Sequence, residues 1–201
     1  DLWGCLHNGV APFAPAVAAL QGFRAKGGKV ILLTNAPRPK SSVVKQLDGM
    51  GVPRDAWDDV VTSGDAAQYA MLTGAVGRKL HHIGAAKDMP FFTDFSADYR
   101  ATLLMAKTLG LPMLCANPDI VVHWGDKLLY CAGALAKAYE EMGGTALYFG
   151  KPHPPIYDLA RRRLAALTGH QPDNGTILAI GDGIGTDIQG AMGEGIDAVF
   201  V

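Results

Sequence analysis

Thr176-Ile-Leu-Ala-Ile-Gly-Asp-Gly-Ile-Gly-Thr-Asp187 is an apolar run that stops at a carboxylate, turns through glycines and meets a second carboxylate. Its branched residues are continuous rather than alternating, so Thr176 to Ile180 reads as a strand buried on both faces, with Asp187 to Gly193 as the helix after it. Lys29-Val-Ile-Leu-Leu33 repeats the pattern and ends at Thr34-Asn35. Working outward, Pro15 to Lys26 has helical spacing and closes on Gly27-Gly28, and Ser41 to Met50 is a second helix ended by Gly51. Asp59 to Thr62 reads as a strand, Asp65 to Thr73 and Pro154 to Leu167 as helices, and Asp197 to Val201 as a last strand. Strands and helices in alternation predict an α/β fold, a doubly wound parallel sheet with right-handed crossovers.

Between these halves the pattern changes. His81-His82-Ile83-Gly84, Leu111 to Cys115 and Leu128 to Cys131 read as short strands, and Tyr99 to Leu109 and Ala134 to Met142 as helices. Residues 76–145 are therefore expected to form a smaller α/β domain inserted into a core made of residues 1–75 and 146–201. Such a domain stands over the carboxyl ends of the core strands, where a substrate lid belongs. A strand is expected before Asp1 and a helix after Val201, and Phe91 to Ala97 is short for a link between two lid strands, so further residues are expected there, near Ser96 to Tyr99.

Bulk properties narrow the function. The 201 residues carry 49% hydrophobic and 18% charged side chains and a net charge of -1, which gives no electrostatic footprint for nucleic acid or an anionic membrane. No apolar stretch approaches the roughly 18 residues of a spanning helix. Cys5, Cys115 and Cys131 are odd in number and far apart, so neither a disulfide framework nor a zinc knuckle is indicated and a reducing cytoplasm is expected.

The chemistry lies in the polar pieces that end the apolar runs: Asp1-Leu2-Trp3-Gly4, Thr34-Asn35, Lys151-Pro152, and Gly181-Asp182 with Asp187. Side chains at strand ends converge on the crevice beyond the carboxyl edge of a doubly wound sheet. Asp1 and Asp182 meeting there repel by about 4 kcal/mol at 4 Å and an effective dielectric near 20. A divalent cation removes that cost, and Mg²⁺ suits an all-oxygen site. Lys151 adds a fixed positive charge, and the Thr34 hydroxyl and Asn35 backbone N–H are donors for phosphate oxygens. Asp1 is then free to attack phosphorus and form an aspartyl-phosphate.

Each piece also has a plainer reading. Asp1-Leu-Trp-Gly4 serves as a strand-end turn, Thr34-Asn-Ala-Pro37 as a helix N-cap with an early Pro, Lys151-Pro-His-Pro-Pro155 as a stiff loop opening a helix, and Asn117 to Asp119 as a turn around Pro118. His81 and His82 point to opposite faces if they lie in a strand, which argues against a metal site. The glycines after Ile180 also resemble the start of a dinucleotide fold, but Thr186 stands where its third glycine belongs and Asp182 would face a pyrophosphate.

Taken in order, Asp1-Leu-Trp-Gly-Cys-Leu-His-Asn-Gly9, Leu32-Leu-Thr-Asn-Ala36, Val61-Thr-Ser-Gly-Asp65, Ala116-Asn-Pro-Asp119, Gly150-Lys-Pro-His153 and Gly181-Asp-Gly-Ile-Gly-Thr-Asp187 resemble the haloacid dehalogenase superfamily, in its class IIA, NagD-like branch of sugar- and nucleotide-phosphatase-like proteins. The resemblance implies a magnesium-dependent phosphatase in which Asp1 is the nucleophile and Thr34 and Lys151 hold phosphate. The Trp3 backbone carbonyl and Asp182 would join Asp1 at the metal, with Asp187 supporting them. Asn35, Asn117 and Asp119 would meet the substrate, the last two from a loop of the lid. One departure stands out: the superfamily's phosphatases carry a second Asp two residues after the nucleophile as general acid and base, and here that residue is Trp3. A positioned acid–base group contributes about 10²- to 10⁴-fold. Leaving groups that need no protonation should therefore be favoured, and the aspartyl-phosphate should be long-lived. His7 is a substitute base or a polar rim residue. The expected partner is a small phosphorylated metabolite, with neither nucleic acid nor membrane involved and a homodimer left open. The alternatives are a pseudo-phosphatase that binds a phosphorylated ligand without turnover, and phosphoryl transfer to an acceptor other than water.

Overall fold

The computed structural model describes residues 1–76, 98–124 and 127–201. The strand expected at His81 to Gly84, with its histidine pair, and the Phe91 to Ala97 stretch lie outside them.

Helix α1, Ala14–Ala25, opens with Pro15 in its first turn, where a missing N–H costs nothing. It closes at Gly27, whose φ of 90° falls where only glycine is unstrained. Strand β1, Ile31–Thr34, pairs in parallel with β2, Asp59–Thr62, in a register that sets Thr34 beside Thr62 at the carboxyl end. The crossover is α2, Lys40–Gly49, followed by a 3₁₀ turn, Arg54–Ala56. Pro39, not Thr34, holds the N-cap position of α2, and the first N–H of that helix is met from outside by Asp65 Oδ1 at 3.0 Å. This removes the N-cap reading of Thr34. Helix α3, Ser63–Leu72, follows β2 directly, capped by the Thr62 hydroxyl, which accepts from the Asp65 N–H at 2.9 Å.

The later half begins with α6, Pro154–Thr168, which ends on left-handed Gly169. Strand β7, Leu178–Gly181, pairs in parallel with β8, Asp197–Phe200, through a π-helical turn at Ile184–Ile188 and the short α7, Gln189–Gly193. Two expectations are corrected here. Thr176 belongs to a 3₁₀ turn capped by Asp173, so the strand starts later, and Leu178 and Ile180 are 56% and 45% exposed rather than buried. Strand β8 flanks β7 on one edge, and on the other the Asp1 nitrogen donates to the Ile180 carbonyl at 2.7 Å. The helical turn also begins before Asp187, because the Asp187 and Ile188 N–H groups both return to the Gly183 carbonyl.

The middle of the chain contains α4, Asp98–Thr108; β3, Met113–Cys115; β4, Val121–Trp124; β5, Lys127–Tyr130; α5, Ala132–Glu141; and β6, Ala146–Tyr148. Strands β4 and β5 form an antiparallel pair, and β3 and β6 a parallel one. Residues 146–148 thus share a ladder with Met113–Cys115, and the ladder continues in the Phe149 N–H to Cys115 carbonyl bond of 3.1 Å. Strands β4 and β6 escaped the sequence reading because three or four apolar residues beside a turn carry no period of their own.

Packing explains why the first half holds together. Successive residues of a strand face opposite ways, so Val60 and Val61, both fully buried, serve different clusters. Val60 packs with Leu2, Leu32, Val43, Leu47 and Trp57, and Val61 with Ala66, Phe149, Ile156 and Ala191. A third cluster, Leu103, Leu135 and Tyr139, lies between α4 and α5. Asp58 ties α1 to the start of β1: its carboxylate accepts from Arg24 Nη2 and the Val30 N–H, each at 2.8 Å. Burial pushes that carboxyl up, and these donors together with Lys29 outweigh it, holding it below the usual range. Its contribution to stability is present above the unfolded-state value and fades as pH falls through the folded one. Among the described residues no helix is long and apolar enough to cross a membrane.

Leu47 is 0% exposed at the centre of the first cluster. Leu47→Ala should lower the unfolding free energy by about 2–5 kcal/mol in denaturant titration; a change below about 1 kcal/mol would contradict this packing.

Candidate active site

The first seven residues form a closed turn. The Leu6 and His7 N–H groups donate to the Leu2 carbonyl, the Gly4 N–H donates to the His7 carbonyl, and Leu2 and Leu6 are buried as anchors. Gly4 has φ 85°, and a Cβ there would collide with the Asp182 carboxylate. Glycine is required on both counts, and its absent side chain lets the turn close on the end of β7. Asp1 is held at that end by its backbone bond to Ile180, and its Oδ1 accepts from the Leu2 N–H at 2.6 Å.

Lys151 is 1% exposed, placed by the loop between β6 and α6. Its Nζ stands 3.0 Å from Asp1 Oδ1 and 2.6 Å from Asp187 Oδ1. Asp187 is itself buried, and its Oδ2 accepts from the Gly183 N–H at 3.1 Å. A Cβ on Gly181 would strike this carboxylate, which is why the strand ends on glycine. Asp1, Asp182 and Asp187 each offer an oxygen, and these oxygens lie within 4.8 Å of one another. At that distance two carboxylates repel by about 3–4 kcal/mol at an effective dielectric near 20. One ammonium balances one of the three, so the cluster keeps an excess of negative charge facing the exposed Asp182. An all-oxygen donor set of this charge fits a hard divalent cation such as Mg²⁺.

The second part of the site is a bracket of hydrogen bonds. Asn35, buried at the end of β1, accepts through Oδ1 from the Lys151 N–H at 2.6 Å. Its Nδ2 donates to the Lys151 carbonyl at 3.1 Å and to Asp119 Oδ1 at 2.9 Å. The Asn117 side chain accepts from the Asp119 N–H at 3.0 Å, so the Pro118 turn and the approach to the core are one feature. Burial pushes the Asp119 carboxyl up, while the Asn35 bond and the Lys151 charge pull the other way. The Thr34 hydroxyl accepts from the Ala36 N–H at 3.3 Å.

The sequence-derived set thus divides. Asp1, Lys151, Asp182 and Asp187 converge, and Asn35 links them to Asp119 and Asn117. Thr34 sits one residue from this group at the strand end, and Trp3 is next to Gly4 at its lip. The Asn35 side-chain donors are taken by protein partners, while the part expected to meet phosphate is its backbone N–H. His7 is not a rim residue: it is 3% exposed, its Nδ1 accepts from the Gly9 N–H at 3.0 Å, and burial lowers its tendency to protonate. The Trp3 indole meets the His7 ring edge-on at 5.7 Å and covers Gly9, where a Cβ would strike it. Cys5 was missed by the sequence reading; its Sγ donates to Asp182 Oδ1 at 3.8 Å. No spacing rule singles out a lone thiol, and only the closed turn brings it there.

Two family models match the chain, one described as haloacid dehalogenase-like hydrolase over residues 1–96 and one as HAD-hydrolase-like over residues 148–201. No curated protein matches the sequence. Among solved structures, a hydrolase of the haloacid dehalogenase-like family from Brucella suis 1330 superposes with a TM-score of 0.91 at 41% identity, covering 100% of this chain and 86% of that one. A p-nitrophenyl phosphatase from Archaeoglobus fulgidus shares the fold at TM-score 0.71 and 19% identity, over 100% of this chain and 83% of that one. A glycerol phosphate phosphatase from Mycobacterium tuberculosis, crystallised with magnesium, does so at 0.70 and 22%, over 100% of this chain and 65% of that one. With its carboxylates and lysine gathered at the strand ends, and with the Brucella suis hydrolase matching it along its full length, the chain belongs to the haloacid dehalogenase-like hydrolase family.

Proposed function

We propose that this hydrolase is a phosphatase of the NagD-like branch, acting on a small phosphomonoester in a reducing cytoplasm. The observation that carries the reading is the buried Lys151 ammonium between Asp1 and Asp187, with Asp182 completing the acidic cluster. The fold shared with a p-nitrophenyl phosphatase and a glycerol phosphate phosphatase supports it, and three free cysteines accord with the compartment.

Asp1 Oδ1 is engaged by the Leu2 N–H and Lys151, and Oδ2 is the oxygen assigned to attack on phosphorus. Attack forms an Asp1–O–P bond while the ester P–O bond breaks and its electron pair leaves with the alcohol oxygen. Water then attacks the same phosphorus, releasing phosphate and restoring the carboxylate. Lys151 offsets charge on the transferring group, and the Thr34 hydroxyl and Asn35 backbone N–H are the donors for its oxygens. Asp1, Asp182 and the Trp3 carbonyl would hold Mg²⁺, with Asp187 steadying Lys151; the bound ion supplies charge neutralisation and polarises a phosphate oxygen. Residues 76–145, together with the β6 strand that pairs with β3, act as the lid, and its Asn117 to Asp119 loop lies on the substrate side.

Trp3 sets the character of the reaction. An indole packed on Gly9 transfers no proton to an alkoxide, so the cost falls on poor leaving groups. With Mg²⁺ present, 4-nitrophenyl phosphate should turn over at least about 100-fold faster than a sugar phosphate. Equal rates would contradict this role of Trp3, and binding of phosphate without turnover of any ester would contradict the phosphatase reading. Asp182→Asn removes the charge of a proposed ligand and should weaken Mg²⁺ binding in calorimetric titration by more than about 10-fold, the cost of losing an outer partner; unchanged affinity would place the metal elsewhere.

A further inference from the structure

The Asn35 side chain has no N–H donor left for a phosphate oxygen. A carboxamide offers two N–H donors and a carbonyl oxygen, and here one donor goes to the Lys151 carbonyl, the other to Asp119 Oδ1, and the oxygen to the Lys151 N–H. It therefore pairs with both ends of residue 151 as one strand pairs with another, and spends its remaining hydrogen on the lid loop. The three segments meet at close range. A Cβ on Gly150 would strike Asn35 Oδ1 and Pro118 Cδ together, so the loops of β1, of the lid and of Lys151 close on one point. Asp119 is held in turn by the Asn117 side chain at its N–H. The Lys151 main chain fixed in this way is the one whose Nζ reaches Asp1 and Asp187.

We propose that the Asn35 carboxamide is a positioning residue that joins the Asp119 lid loop to the Lys151 main chain, so that docking of the lid loop and placement of the phosphate-holding ammonium are one event. The proposal rests on the phosphatase reading above. Asn35 acts through Lys151, and Asp119 acts by anchoring Asn35 through an acceptor oxygen rather than by its charge.

Steady-state kinetics with 4-nitrophenyl phosphate and saturating Mg²⁺ test this on the wild type, Asn35→Ala, Asp119→Ala, Asp119→Asn and the Asn35→Ala/Asp119→Ala pair, with thermal melts recorded for each. Displacing an ammonium from its working position should lower kcat about 30-fold in Asn35→Ala, with KM moved less than about threefold. The double variant should fall no further than about twofold below Asn35→Ala, because both substitutions break one unit. Asp119→Asn keeps an acceptor for Asn35 and should exceed Asp119→Ala in kcat by at least about 10-fold. Multiplying losses in the double variant, a change in KM alone, or an Asp119→Asn as slow as Asp119→Ala would each overturn the proposal. If Asn35→Ala does not fold, the two Asp119 variants decide the matter alone. A wild type that turns over no phosphate ester takes down the phosphatase reading and this proposal with it, whereas an active wild type with independent losses overturns the proposal only.

Discussion

An ammonium with 1% exposure is the constraint around which the site is built. Removing such a charge from water costs several kcal/mol, and only close, well-placed partners offset it. Lys151 finds them in Asp1 and Asp187, at opposite ends of the chain. Removing one partner of a buried pair costs about 3–5 kcal/mol, since the remaining charge stays uncompensated. The turn at the N-terminus, the loop after β6 and the turn after β7 are therefore held to one another by electrostatics as much as by packing. Gly4 and Gly181 serve the same end, each leaving room where a side chain would displace a carboxylate.

Much of this was legible in the sequence, for a reason particular to the fold. Continuous branched runs such as Val30 to Leu33 mark parallel strands, and polar residues at their ends have one crevice to share. That logic brought Asp1, Lys151, Asp182 and Asp187 together from remote positions, and the structure places their charged atoms in contact or within 4.8 Å. What escaped was whatever depends on direction rather than order. The sequence points to the Asn35 backbone N–H as a phosphate donor and carries no sign that its side chain turns toward residue 151 and Asp119. His7, expected as a substitute base or a rim residue, lies buried beside Trp3, because the turn at Gly4 folds the chain back on itself.

Trp3 and Asn35 make the site an uneven one. In the proposed reaction the attacking carboxylate is that of Asp1, fixed by the Leu2 N–H and by Lys151, whose main chain Asn35 joins to the Asn117 to Asp119 loop. On the side of the leaving group, the residue two positions after Asp1 is an indole packed against a glycine turn. Such a site is organised to accept a phosphoryl group more than to protonate what departs. It is therefore in the first half-reaction that the choice of ester should be felt.

The most direct test is the covalent state of Asp1 itself. Rapid acid quench of the enzyme mixed with 4-nitrophenyl phosphate and Mg²⁺, followed by peptide mass spectrometry, should show one phosphoryl group at Asp1 on the peptide that carries it, absent in Asp1→Asn and building up before steady state. Turnover without any phosphorylated Asp1 peptide, or a phosphoryl group on another residue, would contradict the account.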